Sequence, residues 1–462
     1  MRNPNDLHEE RLATTKSDGS RIYLYPEEVK GKWQNYRSLV YFFLISFYLV
    51  LPWTKINGEQ SFLIDIGARE FFIFGVHFYA HDIPLLFIVL AIFILSIGFL
   101  TAIFGRVWCG WACPQTVFIE AIFRRIESLV EGNSRKRMLL DKGPINSKKI
   151  LKKIIKWLLF LFVSLVISHS FLAYFVRTEE LIKIVQNSPE ANYNLFFTML
   201  FICGVFLMDF GWFREQFCTI ACPYGRLQSI LLDKDSLVVS YDYNRGEPRK
   251  VPESKDHADC INCYKCVTVC PTGIDIRRGT QLECIHCTRC IDACDEIMDH
   301  VNKPKGLIRY TTENQLQNDN FKIIRPRIII YSIILLFFTS IGSYLIYQSK
   351  NVQVIFLRGT RSPYQIVKNN SGEKIVNHYK VELFYRDKKE LKLSFKTNLT
   401  AIEIVSPVKN ITLQSGRKKM VHVFFKFDKN VLKEGSKNIS VTIYDGQKEL
   451  ITKEVALVGP YK

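Results

Sequence analysis

Thirteen cysteines carry the chemistry this 462-residue chain could do, and all fall between Cys109 and Cys294. Residues 260–271 read CINCYKCVTVCP, which is Cys-x2-Cys-x2-Cys-x3-Cys-Pro. Residues 284–294 read CIHCTRCIDAC, the same spacing, with Asp295 where the first run has Pro271. Two-residue steps let a turning backbone aim three thiolates at one cubane, and in two-cluster modules the fourth cysteine crosses to the other cluster. This pattern gives one [4Fe–4S] cluster Cys260, Cys263, Cys266 and Cys294, and the other Cys284, Cys287, Cys290 and Cys270. Zinc also takes Cys-x2-Cys pairs. It would use two pairs, not two runs of four with identical spacing.

Four more cysteines form two Cys-x3-Cys-Pro pairs, Cys109/Cys113 in WCGWACPQT and Cys218/Cys222 in FCTIACPYG. Each pair has an aromatic before its first cysteine (Trp108, Phe217), an alanine before its second (Ala112, Ala221) and a proline after it. The two read as an internal repeat. A residue before proline leaves the helical region, and proline suits the first helical position, so Cys113 and Cys222 are expected to cap new helices. A helix start, helped by Arg106 or Arg226, is then expected to lower the thiol pKa. Soft thiolates select Cu(I), zinc or iron–sulfur clusters. Cys109, Cys113, Cys218 and Cys222 are therefore candidate metal-binding and catalytic residues; the alternative is four inert, buried cysteines. After Pro114, the residues Phe118, Ile122, Ile126, Leu129 and Val130 share one helical face, and Glu120, Arg124 and Glu127 another. That pattern predicts a helix lying in a membrane interface.

The elements that must position these thiols are apolar. Five runs stand out, at 38–53, 84–104, 154–175, 195–213 and 328–347. A helix needs about 20 apolar residues to cross a bilayer, so about five transmembrane helices are expected. Lys and Arg number seven in residues 1–37, two in 54–83, eleven in 105–153 and two in 177–194. This alternation predicts a cytoplasmic N-terminus, a cytoplasmic 105–153 loop and a cytoplasmic 214–327 segment, with the C-terminus outside. The 37 residues before the first run, polar and charged in character, argue against a cleavable signal peptide. Apart from Cys203, within the fourth run, every cysteine then lies in the reducing compartment, as a thiol-and-metal pattern requires.

The formal net charge is +18, and residues 350–462 hold 22 Lys and Arg against 10 Asp and Glu. No nucleic-acid motif accompanies them, so no nucleic-acid partner is expected, and the basic segment suits an anionic surface or an acidic partner. Segments such as HYKVELFY, KMVHVFFKF and NISVTIYD alternate apolar and polar residues with turn signals between them. This predicts an all-β, immunoglobulin-like sandwich. His169 and Asp209 lie inside apolar runs, and intramembrane ionisable residues are functional candidates. His77 and His81, in HFYAH, lie in an outer loop and could touch copper from outside.

Taken together, these stretches resemble the cytochrome c oxidase accessory protein family of the FixG/CcoG type, membrane-bound dicluster ferredoxins. The resemblance is carried by YPEEVKGK, GRVWCGWACPQT, REQFCTIACPYGRLQS, VSYDYNRGEPR, CPTGIDIR and GLIRYTTEN. It implies a bacterial inner-membrane protein needed to assemble the cbb-type heme–copper oxidase, a cupric reductase making Cu(I) for copper insertion. It implies two [4Fe–4S] clusters as the electron relay, with copper as substrate at Cys109, Cys113, Cys218 and Cys222. Expected partners are the lipid bilayer, copper ions, copper chaperones or a transporter, oxidase subunits and an electron donor that the sequence does not name. The expected domains are a cytoplasmic segment at 1–37, a four-helix membrane region at 38–213 and a cytoplasmic segment at 214–327 holding the ferredoxin-like domain at about 255–300. A fifth transmembrane helix at 328–347 and a periplasmic immunoglobulin-like β domain at 350–462 follow. The alternatives are a quinol-linked electron conduit to another respiratory partner and a non-catalytic assembly scaffold.

Overall fold

A computed structural model describes residues 14, 15, 18, 20–56, 58–67, 70–74, 76–79, 83–187, 192–249, 258–317, 322, 324–348, 352–359, 362–369, 372–385, 391–407, 411–413, 419–432, 435–446 and 448–460. The chain forms two compact units, Met1–Ser343 and Tyr344–Lys462.

Among the described residues there are five long helices, the last of which runs past the end of the first unit: α1 (Lys32–Val50), α2 (Ile83–Phe104), α3 (Ser147–Leu172), α4 (Tyr193–Met208) and α5 (Pro326–Gln348). Among the described residues four helical stretches are long and apolar enough to cross a membrane, at Lys32–Trp53, Leu85–Phe104, Tyr193–Phe213 and Pro326–Ile346. The expected fifth run, 154–175, falls in α3, which is not one of the four. It carries Lys148, Lys149, Lys152, Lys153 and Lys156, and it buries Lys156, Phe160, Ser164, Ile167 and Ser168. At 1.5 Å per residue its 26 residues measure about 39 Å. It runs in the same direction as α1: near the C-terminal ends of both helices the Tyr48 hydroxyl donates to the Ile167 carbonyl at 2.9 Å. Phe118, Ile119, Phe123, Phe160, Ile167 and Phe210 form the apolar core between these elements.

The cysteine-rich segment follows α4. Its two-stranded ribbon pairs Val238–Tyr241 antiparallel with Ile308–Thr311, and it packs beside a helix at Arg289–His300. Val239, Tyr241, Ile274, Ile276, Ile291, Met298, Leu307 and Ile308 form its core together with the cysteines. Asp292 on that helix accepts hydrogen bonds from the backbone N–H of Trp33 (3.1 Å) and Gln34 (2.7 Å), and so caps the start of α1.

Among the described residues the second unit has nine strands: β1 (Val352–Arg358), β2 (Gln365–Asn369), β3 (Gly372–Tyr385), β4 (Leu391–Thr397), β5 (Ile402–Val405), β6 (Ile411–Leu413), β7 (Lys419–Asp428), β8 (Ser436–Asp445) and β9 (Lys448–Val458). One sheet runs β5-β7-β3-β1 with β2 on β3, the other β6-β4-β8-β9. All these pairings are antiparallel. Val381, Leu383, Val423, Phe425, Val441 and Ile443 face inward, as the period-2 alternation predicts. The immunoglobulin-like sandwich expected at the C-terminus is what forms.

The segment after Pro114 departs from expectation. It is helical through Pro114–Phe118, loosens into a π turn at Ile119–Phe123 and resumes at Arg124–Glu131. Its charged face does not meet solvent. Glu127, Arg124 and Glu131 are buried, whereas Leu129 is 85% exposed. Glu127 accepts from Arg214 at 2.6 and 3.1 Å and from Arg137 at 2.9 Å. Glu120 pairs with Arg124 (3.2 Å) and with Arg289 of the cysteine-rich segment (2.5 Å). Burial alone would raise both carboxyls. The facing cations outweigh it, Arg124, Arg289 and Arg37 for Glu120 and Arg214, Lys156 and Arg137 for Glu127, and hold each at about 2.

Both groups are depressed from the ordinary value of 4.5. Their contribution to stability is therefore complete above about pH 5 and is lost as pH falls toward 2. Thermal unfolding followed between pH 7 and pH 3 should show the midpoint falling across that window. Glu127→Gln leaves Arg214, Arg137 and Lys156 short of a counter-charge and should cost about 3–5 kcal/mol. A variant that melts with the parent, and keeps the parent's acid profile, would sink this account.

Candidate iron–sulfur and thiol centre

The two cysteine runs fold alike. In each, the residue before and the residue after the second cysteine are left-handed: Asn262 (φ 57°) and Tyr264 (φ 58°) in the first, His286 (φ 51°) and Thr288 (φ 63°) in the second. Left-handed backbone disfavours side chains such as Tyr and Thr by about 1–2 kcal/mol each. Here it turns the loops so that their thiols converge, and each loop then enters a helix, Lys265–Thr268 or Arg289–His300.

Two cavities result. About 360 Å³ of atom-free space is lined by Cys260, Cys263, Cys266 and Cys294. About 350 Å³ is lined by Cys270, Cys284, Cys287 and Cys290, with Cys266 between the two. These are the two crossed sets expected from the spacing. Among the described residues no three His, Cys, Asp or Glu side chains converge on a single-ion site. Burial pushes the Cys284 and Cys294 thiols up to about 12 and Cys290 well above its ordinary range, so thiolates here call for bound positive charge. The residues fit two four-iron clusters.

The Cys-x3-Cys-Pro pairs sit at the ends of α2 and α4. As expected, Cys113 and Cys222 are extended residues before helices that begin at Pro114 and Pro223. The two pairs lie near one another: the charges of Cys113 and Cys222 act on Cys109, and those of all three other thiols act on Cys218. The Cys109 thiol lies 3.1 Å from Gln228 Oε1. The expected lowering of the thiol pKa is corrected. Burial pushes Cys109 up to about 12 and raises Cys218 and Cys113, although the Thr116 and Gln115 amides at the helix start pull Cys113 down. A helix terminus acts on one thiol, and desolvation outweighs it. Arg106 opposes the shift at Cys109 only in part. The Arg226 side chain lies outside the described residues.

The thiol pocket and the second cavity share a wall. A Cβ added at Gly110, between Cys109 and Cys113, would come within 2.4 Å of the Ile285 carbonyl and 3.0 Å of the Cys287 Cα. Only glycine lets the two loops touch. The Tyr41 hydroxyl, itself held by buried Arg37 at 2.6 Å, donates to the Gly110 carbonyl at 2.7 Å. His286 Nδ1 accepts from the Arg106 N–H at 3.0 Å, and Arg106 also donates to the Leu282 carbonyl and to that of Gly225 (2.8 Å). Burial and Arg106 hold His286 down at about 3, so it stays a neutral acceptor. Arg106 thus ties both repeats to the second cysteine loop. Gly110, His286 and Gln228 were not singled out from sequence; only the position of His286 between Cys284 and Cys287 hints at its place.

Known proteins agree with this geometry. Residues 213–313 match the model of a 4Fe-4S dicluster domain, 84–137 that of a 4Fe-4S binding domain, and 343–460 that of the IG-like fold at the C-terminal of FixG. Nitrogen fixation protein FixG of Rhizobium meliloti is 36% identical over 63% of this chain and 57% of its own length. Proteins RdxA and RdxB of Cereibacter sphaeroides are 34% and 35% identical over 63% and 64% of this chain. These matches support a FixG-type membrane ferredoxin. It spans 57–64% of the length of these three relatives. The crystal structure of a FixG-related protein from Vibrio parahaemolyticus overlaps 24% of the chain at 15% identity and a TM-score of 0.20, too little to carry weight.

The other candidates are scattered. Asp209 holds Gln115 Nε2 at 2.9 Å, near Cys113 and Cys218. His169 Nδ1 lies 2.8 Å from the Leu165 carbonyl and lines a separate cavity. His81 and the side chain of His77 lie outside the described residues.

Two outcomes follow. Cys263→Ala should lower iron from about eight to about four per chain, because one cubane needs all four thiolates; a chain that keeps eight irons overturns the crossed assignment. Gly110→Ala should keep both clusters by iron content and spectrum, yet slow electron exchange between them and the thiol pocket at least tenfold in stopped-flow oxidation. An unchanged rate would mean that the shared wall is not the path.

Proposed function

We propose that this chain is a membrane iron–sulfur oxidoreductase that reduces Cu(II) to Cu(I) for copper insertion during assembly of a cbb-type cytochrome c oxidase. The observation that carries the reading is that two thiol pairs from two helix ends lie near one another, and that Gly110, between Cys109 and Cys113, packs on the backbone of a cluster-ligand loop. When bound, the two clusters, at Cys260, Cys263, Cys266 and Cys294 and at Cys284, Cys287, Cys290 and Cys270, supply single electrons. Cu(II) takes one electron to become Cu(I), and soft thiolates at Cys109, Cys113, Cys218 and Cys222 hold the product in preference to the substrate. Copper binding displaces the protons that burial otherwise keeps on Cys109, Cys113 and Cys218. Gln228 faces Cys109, and Asp209 is the carboxylate near the pocket. Cys263 is the exposed cluster ligand, which suits the approach of an electron donor.

The charge alternation supports a bacterial inner-membrane protein with a cytoplasmic N-terminus and cluster domain and a periplasmic β domain. The partners in this reading are the bilayer, copper ions, a copper chaperone or transporter, and oxidase subunits.

One feature favours a second reading, a quinol-linked conduit. A cavity with about 780 Å³ of atom-free space lies between α3, α4 and the helix Thr178–Gln186, lined by His169, Leu172, Leu181, Leu195, Phe196 and Met199. Its size and apolar walls suit an organic ligand.

The test is anaerobic. Reduced protein, freed of excess reductant, receives substoichiometric Cu(II), and cluster oxidation and chelator-captured Cu(I) are recorded together. Stoichiometric Cu(I) is expected, and it should vanish in Cys109→Ala/Cys113→Ala and Cys218→Ala/Cys222→Ala with about eight irons retained. Clusters that stay reduced beside Cu(II) overturn the reading. About twelve irons in the parent, falling to eight in those variants, would instead put a third cluster on the four thiols.

A further inference from the structure

Two histidines of the C-terminal unit play no part in the chemistry above. His378 on β3 and His422 on β7 sit on the outer face of their sheet, opposite the face that buries Tyr379, Val381, Val421 and Val423. The register pairs His378 with Phe424 and Lys380 with His422, so the two histidines are diagonal neighbours on one face. Diagonal positions lie about 7–8 Å apart, within reach of ring side chains. The rings close that gap. His378 Nε2 lies 2.7 Å from His422 Nδ1, and the rings stack at 5.0 Å and 19°.

The pair is held from both sides. His378 stacks on Phe424 at 4.7 Å and 13°. Its other edge meets Gly359, whose N–H donates to the His378 carbonyl at 2.9 Å. A Cβ at Gly359 would approach His378 Nδ1 to 2.6 Å, so the backbone there leaves the ring its place and turns Nε2 toward His422. One pair further along the same face, Glu382 stands opposite Met420, which is 54% exposed. A carboxylate and a thioether thus flank two converging imidazoles at the surface.

We propose that His378 and His422 form a bis-imidazole site for one divalent late transition-metal ion on the C-terminal unit. Two neutral imidazoles facing at 2.7 Å share a single proton between nitrogen lone pairs. A cation takes that proton's place. The proton moves to the outer nitrogen of its own ring, both facing nitrogens then offer lone pairs, and no electron is transferred. Imidazole suits copper, nickel and zinc, and among the divalent ions Cu(II) binds most tightly to a given nitrogen site. Lys380, directly across from His422, sets a limit on affinity through its positive charge. The site does not depend on the copper chemistry proposed for the thiols.

The test uses the full-length chain in detergent with its clusters oxidised, so that no internal reductant is present. Cu(II) is added against a glycine competitor and followed by electron paramagnetic resonance. The expected result is one Cu(II) per chain whose spectrum carries splitting from two imidazole nitrogens. His378→Ala and His422→Ala should each abolish that splitting and weaken binding at least tenfold. His422→Asn, which keeps a polar surface side chain, should do the same with an unchanged far-ultraviolet dichroism spectrum. The Cys109→Ser/Cys113→Ser/Cys218→Ser/Cys222→Ser variant should keep the signal. A signal that survives in all three histidine variants, or that disappears only with the cysteines, overturns the proposal.

Discussion

Glu120 and Glu127, buried among arginines, are the constraint on which the rest of the first unit depends. A buried carboxylate is costly unless charges and hydrogen bonds answer it. Glu120 is answered by Arg289, which comes from the second cysteine run, and by Arg124, which also reaches Glu215 at 3.3 Å and the Pro271 carbonyl at 3.3 Å. Glu127 is answered by Arg214, at the entrance to the second Cys-x3-Cys-Pro repeat. One short helix therefore pins the cluster loops and both thiol repeats to the same place. A buried ion pair of this kind contributes little net stability compared with an apolar replacement. Its geometry ties the parts in register, because each carboxylate is paired with arginines from the segments it joins.

That network explains both what was legible in the sequence and what was not. The cluster sets could be read because metal ligation imposes spacing: Cys-x2-Cys steps are local, and the crossing of Cys270 and Cys294 follows from the doubled run. The sandwich could be read because period-2 alternation is local as well. The helix after Pro114 was misread for a physical reason. Amphipathicity records that two faces differ, not which of them meets water, and here Glu120, Arg124 and Glu127 turn to partners about 90 to 170 residues away. No local pattern encodes an arginine so distant.

The thiols teach a related lesson. A helix start lowers a thiol pKa by an amount readable from sequence, and the Thr116 and Gln115 amides do so at Cys113. Desolvation depends on everything packed around the sulfur, and it prevails at Cys109, Cys113 and Cys218. Gly110 and His286 escaped notice for the same reason, since each matters through a neighbour on another loop. The apolar run in α3 was seen, but its buried seam of Lys156, Ser164 and Ser168 sets it apart from the four helices whose apolar surfaces are more open.

The cap on α1 bears on how the protein is made. The first long helix begins at Lys32, yet the carboxylate that satisfies its opening N–H groups belongs to Asp292, 259 residues later than Trp33. A ribosome adds about 5–20 residues per second, so the helix waits on the order of ten seconds to a minute for its own N-terminal partner. During that interval its first turn has only water to bond with. Final seating of α1 must therefore follow the folding of the cysteine-rich segment, which makes the loading of that segment a checkpoint on the finished membrane core.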